Sequence, residues 1–152
     1  MFSFFFSFSD GEGTARVAGA IWVNGEVYAT RGFAPPSVPK IFPDSEAPAS
    51  HIDPIEALGP LLLLSTFEEL FEDALCFHFI DNSSALGSLV KGHSTGHALS
   101  SIASAFWSLA TRVRAYPWFY YVPSDLNVID GYSRRPFTTD PFGSSVTFRL
   151  PP

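Results

Sequence analysis

Phenylalanine stands at every even position from Phe2 to Phe8, with Ser3, Phe5, Ser7 and Ser9 between and after them and Asp10 closing the run. A period of two puts Phe2, Phe4, Phe6 and Phe8 on one face of an extended chain, so the N-terminus reads as a strand with one well-buried face. An isolated strand is not stable in water, and the chain must build a sheet around it. The same run lacks a basic n-region and its apolar stretch is short and broken by serines, which does not suit a signal peptide. Nowhere does the chain approach the roughly 18 apolar residues of a membrane span, so no membrane partner is expected.

The following segments supply the rest of the sheet. Asp10-Gly11-Glu12-Gly13 is a turn, Arg16 to Trp22 reads as a second strand, and Asn24-Gly25 is the two-residue hairpin signal into a third strand over Glu26 to Gly32. Prolines 35, 36, 39, 43 and 48 make Phe33 to Ser50 an irregular connector. Asp53-Pro54 starts a helix expected to run to Leu70, with Pro60 kinking it by withholding an amide from the Glu56 carbonyl. Ala74 to Ile80 is nearly all apolar, as expected of a strand covered on both faces.

Asn82 to Lys91 fits a short helix closed by Gly92. Ser94 is the expected cap of a longer helix, in which Leu99, Ile102, Ala103, Phe106, Leu109, Ala110 and Val113 keep the spacing of a buried stripe. Tyr116 to Val122 is an aromatic strand that Pro117 confines to a strand start or an edge, and Asn127 to Ser133 is long enough for about two helical turns. The expected order is β-β-β-α-β-α-α-β-α over residues 1–135, followed by a tail over 136–152.

A chain of 152 residues with 46% apolar residues, 16 of them phenylalanine, makes one domain with a core of its own. Cys76 is the single cysteine, which excludes an internal disulfide, and it forms no zinc-finger spacing with the four histidines. Nothing in the chain calls for an oxidising compartment, and an intracellular location, nucleus or cytoplasm, is expected. The net charge of −6 argues against a binder held mainly by phosphate contacts. Setting four of the 15 acids aside for a metal site leaves 11 against 9 bases, which reopens nucleic acid as a substrate.

Four acids occupy related places in that order: Asp10 at the end of the first strand, Glu56 in the first turn of the first helix, Asp81 after the fourth strand, and Asp130 in the last helix. If the first and fourth strands are parallel neighbours, Asp10 and Asp81 emerge together at the carboxyl edge of the sheet, where Glu56 and Asp130 can converge on them. Clustered carboxylates repel unless cations fill the space, and hard oxygen donors suit Mg2+ or Mn2+. Two such ions can clamp the attacking and leaving oxygens of a phosphodiester.

With these elements go four motifs: S-D-G-E-G (Ser9 to Gly13), I-E-A-L (Ile55 to Leu58), F-I-D-N-S-S-A-L (Phe79 to Leu86) and V-P-S-D-L-N-V-I-D-G-Y-S-R (Val122 to Arg134). Together they resemble the ribonuclease H domain of retroelement polyproteins, most tellingly through Asn127, Asp130 and Ser133-Arg134. The resemblance covers residues 1–135 and implies an α/β fold: a five-stranded mixed sheet, an antiparallel meander of three strands with the fourth and fifth parallel to the first, and helices on both faces. It implies Asp10, Glu56, Asp81 and Asp130 as catalytic metal ligands for two Mg2+ or Mn2+ ions, an RNA–DNA hybrid as substrate, and a reverse-transcriptase domain as partner in the parent element. The chain departs from the family in that only Gly92 and His93 stand where cellular members carry a basic helix and loop, that Pro123 to Ile129 contains no histidine, and that Pro60 stands one turn beyond Glu56.

Candidate contacts to the nucleic acid are Asn82, Lys91, Arg134 and Arg135, although Asn82 also suits a helix start and the arginines an exposed basic helix end. Each acid has a plain alternative too: Asp10 in a glycine-rich turn, Glu56 at a helix dipole, Asp81 as a cap. His93 and His97 stand at metal-ligand spacing without acidic or cysteine neighbours and read as a solvated helix end. Trp107, Trp118, Tyr120 and Tyr121 could stack bases, but aromatics at such spacing are more often core. Two further functions compete with hybrid hydrolysis. One is a 3′–5′ exonuclease of the same fold using Asp10 and Glu12. The other is an inactive or repurposed retroelement fragment that only binds nucleic acid or protein.

Overall fold

The computed structural model describes residues 2–10, 16–33, 52–127 and 146–152, with the backbone alone for 2–10, 16, 33, 52 and 53. The expected connector and the expected helix over 127–133 lie outside these residues, except for Phe33 and Asn127. The described strands are β1 (Phe2–Asp10), β2 (Arg16–Val23), β3 (Glu26–Phe33), β4 (Leu75–Ile80), β5 (Tyr116–Tyr121) and β6 (Val146–Phe148). The helices are α1 (Ile52–Thr66), α2 (Glu68–Phe71), α3 (Ser83–Lys91) and α4 (His97–Val113). No helix among them is long and apolar enough to cross a membrane.

These strands form one mixed sheet in the order β5-β4-β1-β2-β3-β6. β1 is antiparallel to β2 and parallel to β4, and β5 is parallel to β4. The five strands expected are therefore six: part of the expected tail, Val146–Phe148, pairs in parallel with Val27 to Ala29. Asn24 and Gly25 turn the β2–β3 hairpin with φ of 50° and 79°, the left-handed pair that fits the twist of antiparallel strands.

All the described helices belong to one apolar layer. Ile21, Leu63, Leu64, Phe67, Phe71, Cys76, Ile80, Leu89 and Phe106 make one buried cluster, each such side chain contributing about 1.5–3 kcal/mol by leaving water. In α4 the stripe holds: Ile102, Ala103, Phe106 and Ala110 are buried, and Leu99, Leu109 and Val113 pack beside them. The indole of Trp107 is committed to structure, donating from Nε1 to the Leu89 carbonyl at 2.7 Å. A smaller cluster of Ala18, Ala20, Val27 and Ala29 lies apart from it.

Several expectations need correction. The first helix stops at Thr66 and not at Leu70, because Phe67 leaves the helical region at φ −128°, ψ 44° to bury its ring, and α2 restarts after it. The place expected of Pro60, inside the helix, is the one observed. β4 is fully buried on one face and partly open on the other: Cys76, His78 and Ile80 are buried, while Leu75 is 36% exposed and Phe77 and Phe79 are half-buried. The cap of α4 is Gly96, two residues after Ser94, whose hydroxyl instead accepts from the Gly96 amide.

β5 is an edge strand among the described elements, as Pro117 requires. The Tyr116 and Val122 amides donate to Ala74 and Ile80 across the β4 side. With a period of two, the backbone of residues 117, 119 and 121 faces outward, so the amide missing at Pro117 is one the sheet does not use.

Candidate active site

The levels of Asp10 and Glu56 along the sheet follow from two contacts and the strand register. A Cβ placed on Gly19 would stand 2.6 Å from Leu63, so Leu63 of α1 lies directly on the backbone at Gly19, the register partner of Ser7. Four residues on, Phe67 meets Tyr28 edge to face at 5.9 Å, and Tyr28 is level with Ile21 and so with Phe5. The helix axis therefore runs from the carboxyl edge of β1 toward its amino edge. Seven residues before Leu63, at 1.5 Å each, Glu56 lies about 10 Å nearer the carboxyl edge. Asp10, three residues past Ser7 at about 3.3 Å each, advances the same distance.

Glu56 shares a helix face with Leu63, since seven residues make close to two turns. That face meets the sheet, and Glu56 is accordingly buried, with 8% of its surface exposed. Asp81 follows Ile80, the register partner of Ser7, and so also stands at the carboxyl edge, one strand over.

Asp81 does not cap the next helix. Asn82 does, its Oδ1 accepting from the Ala85 amide at 2.9 Å. The capping role that would give Asp81 a purely structural purpose is thus filled by its neighbour, and Asn82, offered above as a substrate contact, has its carbonyl oxygen engaged in the cap.

Asp81 instead accepts a hydrogen bond at Oδ2 from Asn127 Nδ2, 3.0 Å away. Its other oxygen, Oδ1, is buried and accepts none among the described residues, and no described lysine or arginine pairs with it. A buried carboxylate oxygen without a donor is costly unless a cation meets it. Hard oxygen donors of this kind fit Mg2+ or Mn2+. Asn127 is 5% exposed and is carried by a 3-10 turn over Ser124–Leu126, its amide donating to the Ser124 carbonyl. Its place in the motif was legible in the sequence; its bond to Asp81 was not.

Among the described residues, no three His, Cys, Asp or Glu side chains form a group that could hold a metal ion. The side chain of Asp10 and all of Asp130, Arg134 and Arg135 fall outside the described residues. Lys91 is exposed in the last turn of α3, about 13 Å along the helix from Asn82. Five residues, Gly92 to Gly96, separate α3 from α4, too few for a basic helix. His93 and His97 are both exposed.

No protein-family model matches the chain, and no curated protein sequence matches it. Its architecture is shared by solved structures, among them two ribonuclease H domains. The N-terminal RNase H domain of Rv2228c from Mycobacterium tuberculosis superposes with a TM-score of 0.61 at 13% identity, over 87% of this chain and 89% of that one. RNase H1 from the halophilic archaeon Halobacterium salinarum superposes with a TM-score of 0.56 at 15% identity, over 83% and 87%. The chain has the α/β fold of the ribonuclease H domains.

Proposed function

We propose that this chain is a metal-dependent endonuclease that hydrolyses the RNA strand of RNA–DNA hybrids, with Asp10, Glu56, Asp81 and Asp130 as its ligand set. The observation that carries the reading is Asp81: a carboxylate at the carboxyl edge, held by a neutral amide, with one buried oxygen that no described donor meets. Support comes from the common level of Asp10 and Glu56, and from the fold shared with RNase H domains. Asp130 follows Asn127 by three residues, which limits their Cα separation to about 10–11 Å.

In this reading the carboxylates hold the cations, which when bound supply charge for the phosphodiester and acidify water. Glu56, buried against the sheet, has little freedom to follow the substrate, so the scissile phosphate must come to a preset group of oxygens. Asn82 lies beside the phosphates at the start of α3, and Lys91 meets the backbone farther along. Arg134 and Arg135, which follow Asp130 in sequence, are further phosphate contacts in this reading. Retroelement origin and a reverse-transcriptase domain in the parent polypeptide belong to the same proposal: a chain with few cations gains its substrate through a tethered partner.

The test is cleavage of a labelled RNA–DNA hybrid with Mg2+ or Mn2+ by wild type and Asp81→Asn. The isosteric amide keeps its place beside Asn127 but carries no charge, and the rate should fall by about two orders of magnitude or more. Equal rates would assign the cleavage to a contaminant. No cleavage by either, with hybrid still bound, would favour an interaction module.

A further inference from the structure

We infer that Asn127 is a positioning residue, one that fixes the Asp81 carboxylate so that Oδ1 alone is presented to a cation. The inference rests on the site proposed above and adds to it a residue outside its ligand set. A free aspartate side chain turns about its last torsion and offers either oxygen. Here Nδ2 of Asn127 donates to Oδ2 at 3.0 Å. That bond occupies one oxygen and sets the carboxylate plane, while Oδ1 stays buried without a described donor. Asn127 is itself buried, and the turn from Pro123 to Asn127 holds its backbone, with the Leu126 and Asn127 amides bonded to the carbonyls of Pro123 and Ser124 at 2.9 and 3.1 Å.

The choice of an amide matters. Lysine or arginine at this place would hold the carboxylate more strongly but would neutralise it and repel an incoming cation. Asparagine orients the group and leaves its full charge in place. Groups that orient metal ligands in this way commonly govern tenfold to hundredfold in affinity. The same bond joins two distant parts of the chain, the end of β4 and the segment three residues before Asp130, so the orientation of Asp81 and the anchoring of that segment are set together.

The experiment is a calorimetric titration of Mn2+ into the metal-free chain, without nucleic acid. Wild type, Asn127→Ala, Asp81→Asn and the double variant are compared, with each variant's fold checked by circular dichroism. Asn127→Ala should weaken Mn2+ binding by about tenfold to a hundredfold. In the Asp81→Asn background the same substitution should change nothing further, because the group it positions has lost its charge. In hybrid cleavage the Asn127→Ala defect should shrink as Mn2+ is raised, a split that general damage to the fold would not produce. If Asn127→Ala does not fold, Asn127→Ser, too short to reach the carboxylate, takes its place in the series. Mn2+ binding lost in Asp81→Asn but equal in wild type and Asn127→Ala would overturn the positioning role alone. Binding absent from wild type, or untouched by Asp81→Asn, would overturn the site itself and the inference with it.

Discussion

His78 stacks on Phe119 across the β4–β5 pair, with ring centroids 5.0 Å apart and planes 28° from parallel. Phe71 lies near parallel to the same imidazole at 6.3 Å, and Phe106 meets it edge-on at 5.5 Å. The imidazole is 1% exposed, and burial pushes its pKa down to about 3 from an ordinary 6.5. A base whose folded pKa is depressed binds fewer protons folded than unfolded. Its contribution to stability is therefore complete above pH 6.5 and is lost as pH falls from there toward 3. Urea unfolding across this window should show stability dropping with acid, and His78→Phe, which keeps a ring in the cluster, should flatten the slope. An unchanged slope in the variant would assign the acid sensitivity to the carboxylates.

Leu63 on Gly19 sets the distance between α1 and the sheet. Gly19→Ala places a methyl 2.6 Å from Leu63 and should destabilise the chain by about 1–3 kcal/mol. Leu63→Ala alone should cost about 2–5 kcal/mol by leaving a cavity, and the double variant should cost less than the two together. Because Glu56 rides on the same face of α1, Gly19→Ala should also slow hybrid cleavage in excess of its effect on the folded fraction. Chemical denaturation and a cleavage assay of the four chains measure both.

Pro117 guards the outer edge of β5. Tyr116 and Trp118 are 59% and 60% exposed on this strand, and an exposed aromatic edge strand invites another strand. Pro117→Thr restores an outward donor and adds a β-branched residue. Light scattering across a concentration series should reveal self-association in the variant at concentrations where the wild type stays dispersed.

Grip on the hybrid should be weak and steeply dependent on salt, because the chain carries only 9 basic residues against 15 acids. With Ca2+ present to suppress cleavage, Lys91→Ala should lower the slope of log affinity against log salt by about one. Fusion behind a reverse-transcriptase domain should raise apparent affinity while leaving the single-turnover rate at saturation unchanged. Tight, salt-insensitive binding by the lone chain would require a grip surface other than Lys91, Arg134 and Arg135.

Local patterns in the sequence determined much of this protein. The Phe2–Phe8 alternation marks β1, Asn24-Gly25 the hairpin, Asn82 and Gly92 the ends of α3, and the stripe from Leu99 to Val113 marks α4. Each of these rests on interactions within a few residues, which is why each is legible without the fold. The acids Asp10, Glu56 and Asp81 could be placed at element ends for the same reason. Tertiary structure decided the rest. Phe67 breaks the first helix because its ring finds a buried place beside Tyr28, and β4 keeps one face partly open because the described helices lie on the other. Val146–Phe148 joins the sheet through backbone pairing with β3, a contact for which three residues hold no pattern. Asn127 reaches Asp81 across 46 positions. A hydrogen bond between distant residues leaves no periodicity, only two polar side chains, and it takes the folded sheet to bring one against the other.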